Sequence, residues 1–310
     1  MACRCSLTAF RLASKLKAPT ITCQFRPSSS QTPPDRPVLG LGAVTPALFE
    51  QAMTRSSSSF DRYTPQQYYA LAEKFLELTE KTGSVLSVRD SSLPPEVMHE
   101  IGCILCYLSK YTKLSKAMWL TASHAGYVPS TISLAMHIIK AECFGQLECF
   151  RKVEAHFKQL VEEGKNLDAL TVEGLRLFRR SDYYDAMQIL IRAIKISGGR
   201  NFELRNTCEL HLAKIALKSG KNEVALSVLG TLSKSGLAEA HAELGRLLRP
   251  TDPVKARQHL YEGAPGRTEL YRDLSEMALE DAASATGAQH KNLSQWAWEW
   301  SRLADPSVRY

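Results

Sequence analysis

Residues 115–126 read SKAMWLTASHAG, and their spacing decides how the chain folds. Counted from Ser115, Met118 and Trp119 stand at offsets three and four, Ala122 at seven and Gly126 at eleven. Offsets of three, four and seven share one face of an α-helix, and a glycine after such a run is a helix stop. The same phrase starts again at Val153 (His156, Phe157, Leu160, Gly164) and at Ala225 (Val228, Leu229, Leu232, Gly236). Ala186 and Ala193 frame another copy with its glycine one step late at Gly198, and Ala256 opens one with its glycine one step early at Gly266. A degenerate sixth copy starts at Ser294, with Ala297 and Trp298 in place. The six starts are 38, 33, 39, 31 and 38 residues apart.

A second apolar helix follows each stop. In GLAEAHAELG, Ala238, Ala240, Leu244 and Gly245 lie two, four, eight and nine residues beyond Gly236, and GYVPSTISLA repeats the offsets. The unit is therefore a helical hairpin, and its length falls in the range of stacked helix-pair repeats. Small residues at the crossings allow close approach, while Trp119, Phe157 or Leu229 is expected to fill the gap between successive hairpins.

The stretches KAMWLTASHAG and EVALSVLGTLSKSGLAEAHAELG resemble Sel1-like repeats, close relatives of tetratricopeptide repeats. The resemblance extends over about residues 96–304. It implies an all-α, right-handed α-solenoid of about five to six helical hairpins, with a concave binding groove and no chemistry in the repeat itself. Flanking elements are legible too. Residues 64–83 have Thr64 as a cap, Pro65 in the first turn and Gly83 as a stop, which predicts a capping helix ahead of the first hairpin. The last hairpin is expected to end in SQWAWEWSRLADP, with its three tryptophans docked on the end of the stack.

Charge divides the chain unevenly. Residues 1–55 hold seven basic and two acidic side chains, so that segment carries +5 of the formal +7 and residues 56–310 only +2. A body so near neutrality argues against a phosphate-binding surface. The start is free of acids before Asp35 and rich in Ser and Thr; as a helix, it gathers Arg4, Arg11 and Lys15 opposite Ala2, Cys5, Ala9, Leu12 and Leu16. That pattern resembles a mitochondrial presequence. Residues 1–58 are accordingly read as presequence and disordered Ser/Pro-rich linker, and residues 59–310 as the repeat domain. The expected location is mitochondrial, with the matrix favoured because twin C-x9-C pairs are missing.

Candidate chemistry is sparse. Cys103 and Cys106 lie one turn apart on an apolar helix with no second pair at zinc-finger spacing, and Cys143 and Cys149 are read as lying within another helix; all are taken as reduced, buried thiols. HEIGC at 99–103 has Cys103 where H-E-x-x-H needs its second histidine. His124 and His259 are read as near a stop and on a packing face. No phosphate-cradling or nucleophile-elbow motif is present. Neither a cofactor nor a metal is assigned, and no enzymatic activity. The expected function is a non-enzymatic scaffold or assembly factor that holds a protein or peptide. A respiratory-complex subunit or assembly intermediate is the client expected by analogy, and peripheral membrane association stays open. Candidate anchors are Tyr107, Tyr111, Tyr183, Tyr184 and Arg205, since aromatic and arginine side chains dominate such interfaces. The alternatives are an organellar RNA-binding repeat protein, because RLFRRSDYY and RNFELRN mix arginine with aromatics, and a cytosolic adaptor with a disordered basic tail.

Overall fold

A computed structural model describes residues 40–42, 44–55, 60–82, 93–108, 112–305 and 307. The expected presequence, the Gly83 stop and Tyr111 lie outside these residues. Fourteen α-helices and no strand are found among the described residues: α1 (Pro46–Arg55), α2 (Pro65–Thr82), α3 (Pro95–Tyr107), α4 (Thr112–His124), α5 (Val128–Lys140), α6 (Arg151–Glu163), α7 (Leu167–Arg179), α8 (Tyr183–Ser197), α9 (Arg205–Lys218), α10 (Asn222–Lys234), α11 (Ala238–Leu248), α12 (Pro253–Gly263), α13 (Thr268–Ser284) and α14 (Gly287–Ala304). Each packs on its chain neighbours, so the architecture is an array of antiparallel helix pairs.

The first-helix positions of the phrase are the core. Ser115, Trp119, Ala122, Ala186, Ala193, Ala225 and Ala256 are all buried, and Gly245 is buried in α11. The five glycines that close copies of the phrase (Gly126, Gly164, Gly198, Gly236 and Gly266) all adopt positive φ. At Gly126 the reason is visible: the Tyr127 N–H donates to the Ala122 carbonyl at 3.0 Å and the Gly126 N–H to Ser123 at 3.0 Å. These are the crossed bonds of a Schellman turn, which needs a left-handed residue. Gly236 repeats both bonds at 3.1 and 2.8 Å. The turns that end α5 and α7 use the same geometry with Glu142 (φ 57°) and Ser181 (φ 64°) in the left-handed position. A search for glycine stops passes over both.

The tightest seams fall between repeats. A β-carbon on Gly102 of α3 would stand 2.5 Å from the Trp119 indole nitrogen of α4; on Gly174 of α7, 2.5 Å from Leu190 of α8; on Gly245 of α11, 2.5 Å from Leu260 of α12. Trp119, Leu190 and Leu260 all occupy offset four of the phrase. At these three seams the helix ahead thus carries a notch into which the next repeat's large residue fits. Ala213 of α9 serves the same purpose in the cluster that contains Leu229.

The amino-terminal flank differs from the expectation. Residues 46–55, within the expected disordered linker, form α1, and Leu41, Val44, Phe49 and Ala52 are buried with α2, α3 and α4. The Ser- and Pro-rich composition around this helix hid four apolar residues spaced to cover the exposed side of the first pair. Capping of α2 is as expected and goes further: Gln67 accepts from the Thr64 N–H at 2.9 Å while Thr64 Oγ1 accepts from Gln67 N–H at 3.3 Å, a reciprocal capping box. The Tyr68 hydroxyl donates to Glu100 at 2.7 Å and ties α2 to α3.

Two further expectations need correction. Cys143 follows α5 in a turn and Cys149 lies in a single 3-10 turn (Glu148–Phe150), so no common helix holds them. Of the three tryptophans of α14, Trp300 stacks on Tyr271 with centroids 5.8 Å apart and Trp296 stacks in turn on Trp300 at 5.7 Å, yet Trp296 and Trp298 remain about half exposed, at 57% and 48%. Ala297, not a tryptophan, is the buried residue of that helix.

Candidate interaction surface

The helices that follow the phrase, α5, α7 and α9, pack on one another as well as on their partners, so their starting ends form one edge. Two adjoining openings occupy it. One, of about 80 Å³, is lined by Val128, Pro129, Ile132 and Met136 of α5, by Asp168 of α7, and by Glu203 and Leu204 ahead of α9. The other, of about 340 Å³, is bounded by Asn201, Phe202, Glu203 and Asn206. Glu203 belongs to both.

The local sequence explains the placement. Asn166 caps α7 by accepting the Ala169 N–H at 2.8 Å, which sets Asp168 in the first turn, where a carboxylate suits the helix dipole. Asp168 also accepts the Leu204 N–H at 2.8 Å and so fixes the α8–α9 connection beside α7. Both acids hold their protons more tightly than usual. For Asp168 burial is the cause, opposed by the Leu204 bond; for Glu203 it is burial and then the neighbouring Asp168. An apolar floor under two partly desolvated carboxylates suits a cationic side chain with an aliphatic stem.

The expected anchors are not brought together there. Tyr107 ends α3 and is 52% exposed; Tyr184 opens α8 and is 71% exposed. Tyr183 packs into the α7–α9 core against Phe178, with centroids 5.4 Å apart. Arg205 is committed to Glu209 at 2.8 Å and to the carbonyls of Gly199 and Arg200, so it closes a turn. Asp168 and Glu203 do not stand out in the sequence. The only signal was the N-x-D cap of α7, because their meeting depends on helices that are far apart in the chain.

The arginine-rich stretches are likewise engaged by acids. Arg176 pairs with Glu173 at 2.6 Å, Arg179 with Glu142 at 3.3 Å and Arg180 with Asp182 at 3.4 Å. Their charge is thus largely neutralised within the fold.

Cys103 and Cys106 are partly buried rather than fully enclosed, packed against the cluster of Trp119, Leu134, Ile138 and Val153. Cys103 Sγ lies 3.5 Å from His99 Nε2, and a nucleophilic cysteine needs a lowered thiol pKa or a basic imidazole beside it. Burial drives both groups the other way, pushing the Cys103 thiol up to about 12 and the His99 imidazole down to about 4. Cys208, fully buried, is pushed up to about 11, also by burial. Under limiting thiol reagent at neutral pH, peptide mapping is expected to find exposed Cys149 labelled well ahead of Cys103 and Cys208; equal rates would contradict this packing. His259 stands on the seam between α11 and α12, beside His241 and Glu262. No helix among the described residues is long and apolar enough to cross a membrane.

No protein-family model matches the chain, and no curated protein does. Solved structures do. A Sel1 repeat protein from Oxalobacter formigenes is 16% identical with a TM-score of 0.47, the match covering 76% of this chain and 100% of that one. MamA from Desulfovibrio magneticus RS-1 is 16% identical with a TM-score of 0.39, covering 58% of this chain and 98% of that one.

Proposed function

We propose that the chain is a non-enzymatic protein-binding scaffold, an assembly or maturation factor that takes a basic, extended segment of its client along the α5–α7–α9 edge. The observation that carries this reading is the pair Asp168 and Glu203, held partly desolvated over an apolar floor. A lysine or arginine entering there would offset the cost of burying both carboxylates and cover Val128 and Ile132 with its stem. A protein client is favoured over RNA because the carboxylates repel phosphate and the nearby arginines are paired. The basic, acid-free start supports placing the protein in mitochondria, matrix favoured. A respiratory-complex subunit or assembly intermediate is the client to look for first.

Proximity labelling in mitochondria would identify the client, and fluorescence polarisation with its basic segment would test the site. Asp168→Asn with Glu203→Gln is expected to weaken binding by roughly tenfold or more, the scale of one desolvated charge pair. Undiminished binding by the double variant, or a complex that dissolves on nuclease treatment, would overturn the reading.

A further inference from the structure

We infer that His241, His259 and Glu262 form a binding site for a zinc-class divalent ion that clips α11 to α12. The three side chains converge from two helices: His241 Nδ1 lies 3.1 Å from His259 Nδ1 and 2.9 Å from a Glu262 carboxylate oxygen, and His259 Nδ1 is 3.9 Å from the same oxygen. Tetrahedral zinc with bonds of about 2.0–2.2 Å separates its ligand atoms by about 3.4 Å, which these three spacings bracket. Adjustments of a few tenths of an ångström complete the site.

The tautomer of His241 makes the case specific. Its Nε2 stands 3.0 Å from the Ser233 carbonyl oxygen, which can only accept, so Nε2 carries the hydrogen. In the neutral ring Nδ1 is then a bare lone pair facing a carboxylate and another imidazole nitrogen. The His241 Nδ1 lone pair and the Glu262 carboxylate oxygen stand 2.9 Å apart, and His259 Nδ1 lies within reach of both, so a cation held among them replaces a repulsive contact with three attractive ones. The Nε2–H bond to a backbone carbonyl is also the outer-shell contact that orients ligating imidazoles in metalloproteins.

The fold prepares this arrangement. His259 and Glu262 are three residues apart on α12 and therefore share a face. The next residue, Gly263, lets α11 come close: a β-carbon there would stand 3.0 Å from the Ala238 carbonyl oxygen and 3.2 Å from His241 Cβ. The two imidazoles are largely covered, whereas the Glu262 side chain is 41% exposed, which leaves an approach from solvent for the ion and a water as fourth ligand.

The test uses the full chain, stripped with a chelator and dialysed against zinc chloride at neutral pH. Elemental analysis is expected to find a zinc ion that depends on this triad, and cobalt in its place should give the intense visible bands of a tetrahedral site. Zinc should also raise the melting temperature. His259→Gln and Glu262→Gln, both on the outer side of the cluster, should each lower affinity on the order of tenfold or more and abolish the thermal shift. Zinc held equally well by both variants would place the metal elsewhere, for example on cysteines, and overturn the site. A chain that takes up no zinc would overturn it equally.

Discussion

Replacing Trp119 by alanine is expected to destabilise the chain by about 3–5 kcal/mol, the range for deleting a large buried aromatic. Trp119 is 5% exposed, and its indole lies against the bare backbone of Gly102. Its Nε1–H donates to the His99 carbonyl at 3.2 Å, and Leu134, Ile138 and Val153 surround it. One side chain therefore joins α3, α4, α5 and α6. Leu134, Ile138 and Val153 are branched side chains buried on their own helices, so relaxation recovers little. Trp119→Phe keeps part of the packing and should lose markedly less. Denaturant unfolding, with hydrogen exchange of α3 to α6, measures both. A loss under about 1 kcal/mol for the alanine variant would mean that the notch in α3 is not where the stack is held.

Gly245→Val is expected to cost about 3 kcal/mol, the upper part of the overpacking range. A helix interior ordinarily gains about 0.5–1 kcal/mol when glycine becomes alanine, so the sign depends wholly on the seam. Any β-carbon at Gly245 meets Leu260 at 2.5 Å and the Ala256 backbone oxygen at 3.1 Å. The leucine can rotate, but the backbone cannot, so α12 must move away and the contact Ala242 makes with it loosens. Gly230 in α10 supplies the control: nothing lies within 4 Å of its β-position, and Gly230→Ala should stabilise by about 0.5–1 kcal/mol. Pairing Gly245→Val with Leu260→Ala should recover about 1–2 kcal/mol of coupling if the two residues press on each other. Strictly additive losses would show that the strain lies elsewhere.

The local part of the architecture is written in the sequence. The phrase from Ser115 to Gly126 and its copies fixed which residues turn inward, where each helix stops and that an offset-four residue bridges successive repeats. Those features follow from helical periodicity and from the left-handed conformation that glycine adopts without cost, and both act within a dozen residues. Glu142 and Ser181 escaped because the surrounding turn imposes that conformation on residues that do not advertise it. Helix α1 escaped because a short segment in a Ser/Pro-rich stretch, with Phe49 and Ala52 as its buried residues, becomes a helix only when α2 and α3 offer a surface to cover.

The sites belong to the tertiary structure. Asp168 and Glu203 are 35 residues apart in the chain, and Ser233, His241 and His259 come from three helices. Their chemistry depends on distances of about 3 Å that only the stacking of helices sets. Tyr183 and Arg205 show the converse, since anchor-like residues were spent on closing a core and a turn. Periodicity records which side of a helix is buried; it carries no record of which neighbour that side will meet.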